Sequence, residues 1–559
     1  MLIPLPGGNM KRSFFILCVF ILTGFLTPHP LFPTDPAPLS LTTAEASNFT
    51  RTTLYKEVIE FLFIMQKKSN RIKILELATS TEGRMIPMVV ISEPGIKSVS
   101  ECRLSQNPVV LINANIHAGE VEGKEAALML IREFANHKCD NLLKNQVVLI
   151  IPIFNPDGNE KLGKNRRDNG PEQAGTRANG QNLDLNRDFL KMESPEVKAL
   201  IKCFNEWDPV LFVDLHTTNG SYHREPVTYM TLNNPNTAAP LRDYMWNKFF
   251  PATSEILKKK YGYDSLPYGN FVDRAQPGKG WRNHAFEARY STNYAGLRNM
   301  FTILDENYSH ADFKTRVLAC FGFIKSILEY TDRNIIEMRK MLQEVNRDTT
   351  GNFHREKFTL AYKNEQLSRI TIKSYEFKKK KIKPEDRKKY PPWYGDYLVT
   401  PTKKHRDYTV PYFTKAVPTR EIELPTAYIL TPHHDEIVQK LKDHGITVEK
   451  IRKAATARVE KFVIEELKLA NRMYQGHVFV TLKGSYVEED ITIPKNAYYI
   501  SMEQPLARLI AVLLEPECSD SFAAWGFFNR ELARQWSSRF GDYPVYRLHK
   551  PIPLELYQD

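Results

Sequence analysis

Four short runs constrain this chain more than any other feature: "PVVLINAN" (108–115), "QVVLIIPIF" (146–154), "PVLFVDLH" (209–216) and "MFTILDE" (300–306). Each is apolar or β-branched almost throughout. None shows the alternation of a strand with one face in water. This is how strands buried on both faces read, and a sheet of such strands needs helices on both sides. The intervening segments supply them. "EGKEAALMLIREFANH" (122–137) has helical periodicity, and so does the stretch from Asp312 to Val345.

The expected fold is therefore α/β, a mixed, mostly parallel twisted sheet with helices on both faces, over residues 40–348. Past Gly351 the texture changes. Pro, Tyr and Lys become frequent, and alternating runs such as "LSRITIKSYEF" indicate β structure. "HDEIVQKLKDHGITVEKI" reads as a helix, a glycine stop and a strand. We expect a domain boundary near residue 350 and a smaller, β-rich α+β accessory domain over 349–559. The chain is long enough for two domains, and 42% apolar against 25% charged residues is enough for sizeable cores. No internal repeat is visible.

At the N-terminus, Lys11-Arg12 precedes the apolar run "SFFILCVFILTGFL". That run is short for a membrane span of about 20 residues and fits a signal sequence, here residues 1–30. The expected location is exported, periplasmic or secreted, with no integral membrane domain in the mature protein. Cys18 lies inside this run. The other cysteines (Cys102, Cys139, Cys203, Cys320, Cys518) have no CxxC spacing and read as buried thiols rather than a disulfide framework. The net charge of +12 is concentrated: residues 351–420 hold 18 Lys/Arg against 7 Asp/Glu. This reads as a solvated loop or edge strand, or as a surface that attaches to an anionic polymer. No nucleic-acid module accompanies the charge, so no nucleic-acid partner is expected.

Ligands of open α/β sheets bind beyond the carboxyl ends of the strands. His117 and Glu120 follow the first run, "NPDG" (155–158) follows the second, His216 ends the third and Glu306 ends the fourth. Four polar ends in one sheet converge on one cleft. Two histidines and a carboxylate, here His117, Glu120 and His216, are sufficient for a catalytic zinc ion with an open fourth position. A ligating imidazole usually gives its other nitrogen to a carboxylate, and Asp184 in "NLDLNRDF" is a candidate for that partner.

Taken in order, "HAGE", "DLNR", "DLH" and "LDENY", with "NPDG" between the first two, resemble the zinc carboxypeptidase family, the carboxypeptidase A-like metallocarboxypeptidases. The resemblance covers roughly residues 50–330. It implies one zinc ion per chain held by His117, Glu120 and His216, with Asp184 beside His117. It implies that Asn186 and Arg187 hold the substrate's free C-terminal carboxylate. Arg177 is the implied oxyanion arginine, with Arg166 and Arg167 as rivals. Glu306, rather than its neighbour Asp305, is the implied general base; adjacent strand residues point to opposite faces. A mobile tyrosine also belongs to the pattern, and of Tyr294 and Tyr290 the expectation falls on Tyr294. "YYISMEQPLARLIAVLLEPECSDSFAAWGFFN" (498–529) resembles the segment that follows the peptidase domain in exported bacterial members.

The implied activity is hydrolysis of the C-terminal peptide bond of peptides by a zinc-activated water, with Glu306 as base. Two rivals stand beside it. One is a zinc amidase or carboxypeptidase trimming peptidoglycan stem peptides, which the basic segment would suit. The other is a non-catalytic peptide-binding protein of the same fold; such proteins usually lack a ligand or the base, and here all four positions are filled.

Overall fold

The computed structural model describes residues 41–283, 286–390, 394–533 and 540–557. The expected signal sequence and Cys18 lie outside the described residues. The strands in chain order begin with β1 (Ile72–Thr79), β2 (Met85–Ile91), β3 (Val109–Ala114), β4 (Val147–Ile151) and β5 (Leu211–Thr218). Then come β6 (Val227–Met230), β7 (Ser265–Pro267), β8 (Asn270–Phe271), β9 (Trp281–Arg282) and β10 (Phe301–Tyr308). All but β8 and β9 form the central sheet, ordered β1-β2-β4-β3-β5-β10-β6-β7.

The four apolar runs are the four middle strands, β4, β3, β5 and β10, and each pairs in parallel with its neighbour. The flanking pairs β1–β2, β2–β4 and β10–β6 are antiparallel. Continuous apolarity is explained by burial on both faces. In β3, Val110 and Ile112 pack toward α1 (Tyr55–Lys68) and α2 (Glu122–Ala135). Val109 and Leu111 face the opposite core, with residues of α3 (Pro195–Trp207) and α4 (Ser291–Leu297). The long helix α5 (Phe313–Asn352), capped by the Asp312 carboxylate on the Thr315 N–H, completes the first face.

Beyond α5, β11 (Lys357–Lys381) and β12 (Tyr397–Glu423) form one long antiparallel hairpin. Through β12 it joins β9 and β8 in a second sheet. The excess of Lys and Arg rides on this hairpin, few of whose residues are buried. A third sheet contains β13 (Ala427–Leu430), β14 (Glu449–Lys450), β15 (Ala455–Leu469), β16 (Val480–Ile493), β17 (Tyr498–Ser501) and β18 (Val545–Leu548). Its order is β14-β17-β13-β18-β15-β16. Helix α6 (Asp435–Asp443) stops at Gly445, whose φ of +89° and contact with Asn205 leave no room for a side chain. Helix α7 (Ala507–Leu514) is buried all round, its one charged residue, Arg508, donating to the Asn236 carbonyl.

Leu111, Phe204 and Phe212 share a continuous apolar cluster with Leu441, Ile500 and Leu513. The C-terminal half thus packs against the helices that cover the second face of the central sheet. The five described cysteines are unpaired thiols. Among the described residues no helix is long and apolar enough to cross a membrane.

Candidate metal centre

Asn115 turns the chain sharply at the end of β3. Its φ is +66°, a region Asn tolerates, and its side-chain amide donates to the carbonyls of Ala118 and Glu120. This ties the "HAGE" turn shut. A Cβ on Gly119 would sit 2.9 Å from the Gly175 carbonyl oxygen, so only glycine lets the two loops touch. The first turn of α2 is polar yet buried. Glu122 accepts from Arg316 Nε at 2.6 Å and from the Thr217 hydroxyl. Glu125 accepts from the hydroxyls of Thr52 and Thr53 at 2.7 and 2.6 Å. These pairs anchor the turn that carries His117 and Glu120.

The parallel register sets Glu306 on β10 directly beside His216 on β5. Asp305 points the other way, toward Cys320 on α5 at 3.3 Å, where burial pushes its pKa up to about 7. Glu306 faces a cavity of about 390 Å³ together with His117, Glu120, His216, Asn186 and Arg187. Its carboxyl pKa is raised, chiefly by desolvation; His216 opposes the shift and Glu120 adds to it.

His117 Nδ1 lies 3.1 Å from Glu120 Oε1 and 3.1 Å from His216 Nδ1, and His216 Nδ1 lies 3.0 Å from Glu120 Oε2. All three groups are buried. The far nitrogens are both held by carboxylates: His117 Nε2 by Asp184 Oδ1 at 3.0 Å, His216 Nε2 by Asp214 Oδ2 at 2.9 Å. Each imidazole therefore turns its Nδ1 to one shared point. Donor atoms about 2.1 Å from a tetrahedral zinc ion sit about 3.4 Å apart, close to the separations here. A borderline-soft N,N,O set with both outer nitrogens bonded to carboxylates fits zinc. Among the described residues this is the one group of three or more such side chains suited to a metal.

Several arginines surround it. Arg177 donates from Nε to Asp184 Oδ2 at 2.7 Å and from Nη1 to Glu120 Oε1 at 3.4 Å. Arg167 donates to the Gly119 carbonyl, and its Nη2 lies 3.5 Å from Glu120. Both line the cavity, whereas Arg166 turns away to the carbonyls of Lys161 and Ala174. Burial works against the charge on Asp184, but His117, Arg177 and Arg187 outweigh it and hold the carboxyl far below its usual range. Asn186 accepts from the Ser291 N–H at 2.8 Å and sits 3.4 Å from His216 Nε2. Arg187 lies over the Tyr290 ring, 4.4 Å from its centroid.

The structure corrects the expectation for Tyr294. Its side chain is fully buried, its hydroxyl is 2.7 Å from His444 Nδ1, and it does not line the cavity. Tyr290, at the N-cap of α4, does. "NPDG" does not reach the cavity either. Asn155 caps its own short helix and donates to the carbonyls of Ile116 and Arg177, so it braces the loops that carry the site. Asp214 and Asn115 went unremarked in the sequence. Asp214 was detectable, because residues two apart on a strand share a face and "VDLH" puts it under His216.

Residues 60–243 match the zinc carboxypeptidase family model. Carboxypeptidase 2 of Trichophyton rubrum is 23% identical over 486 residues, spanning 84% of this chain and 81% of that protein. Among solved structures, a metallo-carboxypeptidase from Burkholderia cenocepacia aligns with a TM-score of 0.37 and 16% identity, over 50% of this chain and 69% of its own. Carboxypeptidase A from Helicoverpa armigera aligns at 0.39 and 18%, over 52% and 78%.

Proposed function

We propose that this chain, a zinc-dependent metallocarboxypeptidase of the family matched by its residues 60–243, removes single residues from the free C-termini of peptides, with Glu306 as general base. His117, Glu120 and His216 would hold the ion. When bound, zinc supplies Lewis acidity, polarising a carbonyl and making water a nucleophile near neutral pH.

The observation that carries the reading is the position of Glu306, in register beside His216 and on the cavity face. From there its carboxylate takes a proton from the attacking water and returns it to the leaving amine. Such acid–base transfer contributes about 10²–10⁴ in rate. Arg187 and Asn186 receive the substrate's terminal carboxylate, and a guanidinium suits its forked geometry. That contact limits the enzyme to chain ends. Arg177 offers a cation toward the developing oxyanion, a kind of donor typically worth about 10²–10³ in rate; Arg167 is its rival in the same cavity. Tyr290 takes the role of the mobile tyrosine. Four arginines (Arg167, Arg177, Arg187, Arg282) against Glu120 and Glu306 line the cavity, a balance suited to an anionic chain end. The N-terminal apolar run supports export, and residues 349–559 are read as an accessory domain.

The test incubates the protein with mixed peptides and with a peptidoglycan digest, reading products by mass spectrometry. Stepwise loss of C-terminal residues from ordinary peptides is expected, with Glu306→Gln inactive but still binding zinc. Cleavage confined to stem peptides would move the substrate to the cell wall, where the basic β11–β12 hairpin has its rival role. Full activity in Glu306→Gln would overturn the assigned base.

A further inference from the structure

The connection between β15 and β16 belongs to the C-terminal half, yet it ends at the motif "DLNR". Its tip is a tight turn. Tyr474 and His477 exchange backbone hydrogen bonds of 2.7 and 3.1 Å, and the two residues between them, Gln475 and Gly476, have φ of +51° and +79°. Two left-handed residues in succession make the tightest hairpin turn. Glycine adopts that conformation freely; a left-handed glutamine is disfavoured by about 1–2 kcal/mol. The Gln475 side chain accepts the Asp184 N–H at 2.8 Å. Beside it, the Tyr474 hydroxyl accepts from Arg187 Nε at 2.9 Å. On the far side of the turn, His477 Nε2 meets Glu193 Oε1 at 2.7 Å. The Tyr474 ring stacks on the fully buried Trp525, with centroids 6.2 Å apart and planes 23° apart.

Arg187 is thereby held at two points. Nε goes to Tyr474 and Nη1 to the Asn186 carbonyl at 2.7 Å, while Tyr290 lies against its face. Nη2 has no hydrogen-bond partner among the described residues, and Arg187 lines the cavity. A guanidinium fixed at Nε and Nη1 keeps its remaining Nη2 donor aimed, so a carboxylate that binds there costs less conformational freedom.

We propose that the Tyr474–His477 turn is a wall of the terminal-carboxylate subsite, and that Tyr474 acts through Arg187 as a positioning residue for the substrate's chain end. This rests on Arg187 being the carboxylate-binding group. The C-terminal half is then part of the substrate site as well as a support for the helices on the sheet.

The test measures kcat and KM of full-length, zinc-loaded Tyr474→Phe, Arg187→Ala and the double variant on a peptide with a free C-terminus. Zinc content is measured on each. Tyr474→Phe keeps the ring and its stacking and removes only the hydroxyl. The expected result is a roughly tenfold rise in KM, the scale of one hydrogen bond to a charged group, with kcat within about twofold and zinc content unchanged. In the Arg187→Ala background the same substitution should have no further effect, because the residue it acts through is gone. Gln475→Ala should raise KM in the same direction. An unchanged KM in Tyr474→Phe, a fall in kcat alone, or an equal effect in both backgrounds would overturn the proposal. If Arg187→Ala itself leaves KM unchanged, the carboxylate-binding reading fails and takes this one with it.

Discussion

The central sheet and the β11–β12 hairpin are both β structure, and they treat polar residues in opposite ways. Every residue of β3 and β4 is buried, whereas few residues of the hairpin's strands, 25 and 27 residues long, are buried. In the sheet a polar side chain needs a partner to be tolerated. Asp214, His216 and Asp305 each have one; Asp214 and His216 stand in the candidate metal centre, and Asp305 turns away from it to Cys320. In the hairpin an exposed lysine can be solvated without a built partner, so a polar residue there carries little information about function. A polar residue is informative in proportion to what its burial would cost.

The largest expected effect tests the sheet side of that contrast. His216→Ala should reduce bound zinc, measured by inductively coupled plasma mass spectrometry, to background, and peptidase activity with it. Retained stoichiometric zinc would break the comparison at its strongest point. Next, Ile303→Ala on β10, whose side chain is fully buried, should cost about 2–5 kcal/mol in denaturant unfolding. Lys380→Ala on the exposed hairpin should stay within about 0.5 kcal/mol.

A third prediction concerns pH. His444 is fully buried; desolvation, helped by the nearby cations Arg298 and Lys440, lowers its pKa to about 3. Its unfolded value is 6.5. The unfolded chain therefore binds the proton first as pH falls. The neutral ring's contribution is intact above pH 6.5 and declines as the pH drops from there toward 3. His444→Gln should flatten that part of the stability profile measured by thermal unfolding. The last test is Asp214→Asn. Losing the carboxylate on the outer nitrogen of His216 should weaken zinc binding about 10–100-fold, read by competition with a chelator.

The four central strands, α2, α5 and the helix–glycine–strand segment at α6 were legible because their periodicity and burial agree. The ligand trio was legible for a related reason: polar residues at the ends of otherwise apolar runs stand out. The choice of Tyr294 over Tyr290 had no such signal. Both lie in one short stretch, and only packing against His444, some 150 residues away in sequence, draws Tyr294 into the core and leaves Tyr290 on the cavity.

By itself, then, the sequence determined the sheet, the strand ends that supply His117, Glu120, His216 and Glu306, and the family resemblance. Local pattern suffices for these because each strand carries its own burial and its own polar end. Only the tertiary structure decided which tyrosine and which arginines line the cavity, and that Tyr474 and Gln475 touch Arg187 and Asp184. Those contacts join segments up to 291 residues apart. Distance in sequence holds no trace of them, because packing is settled by which surfaces exclude water together.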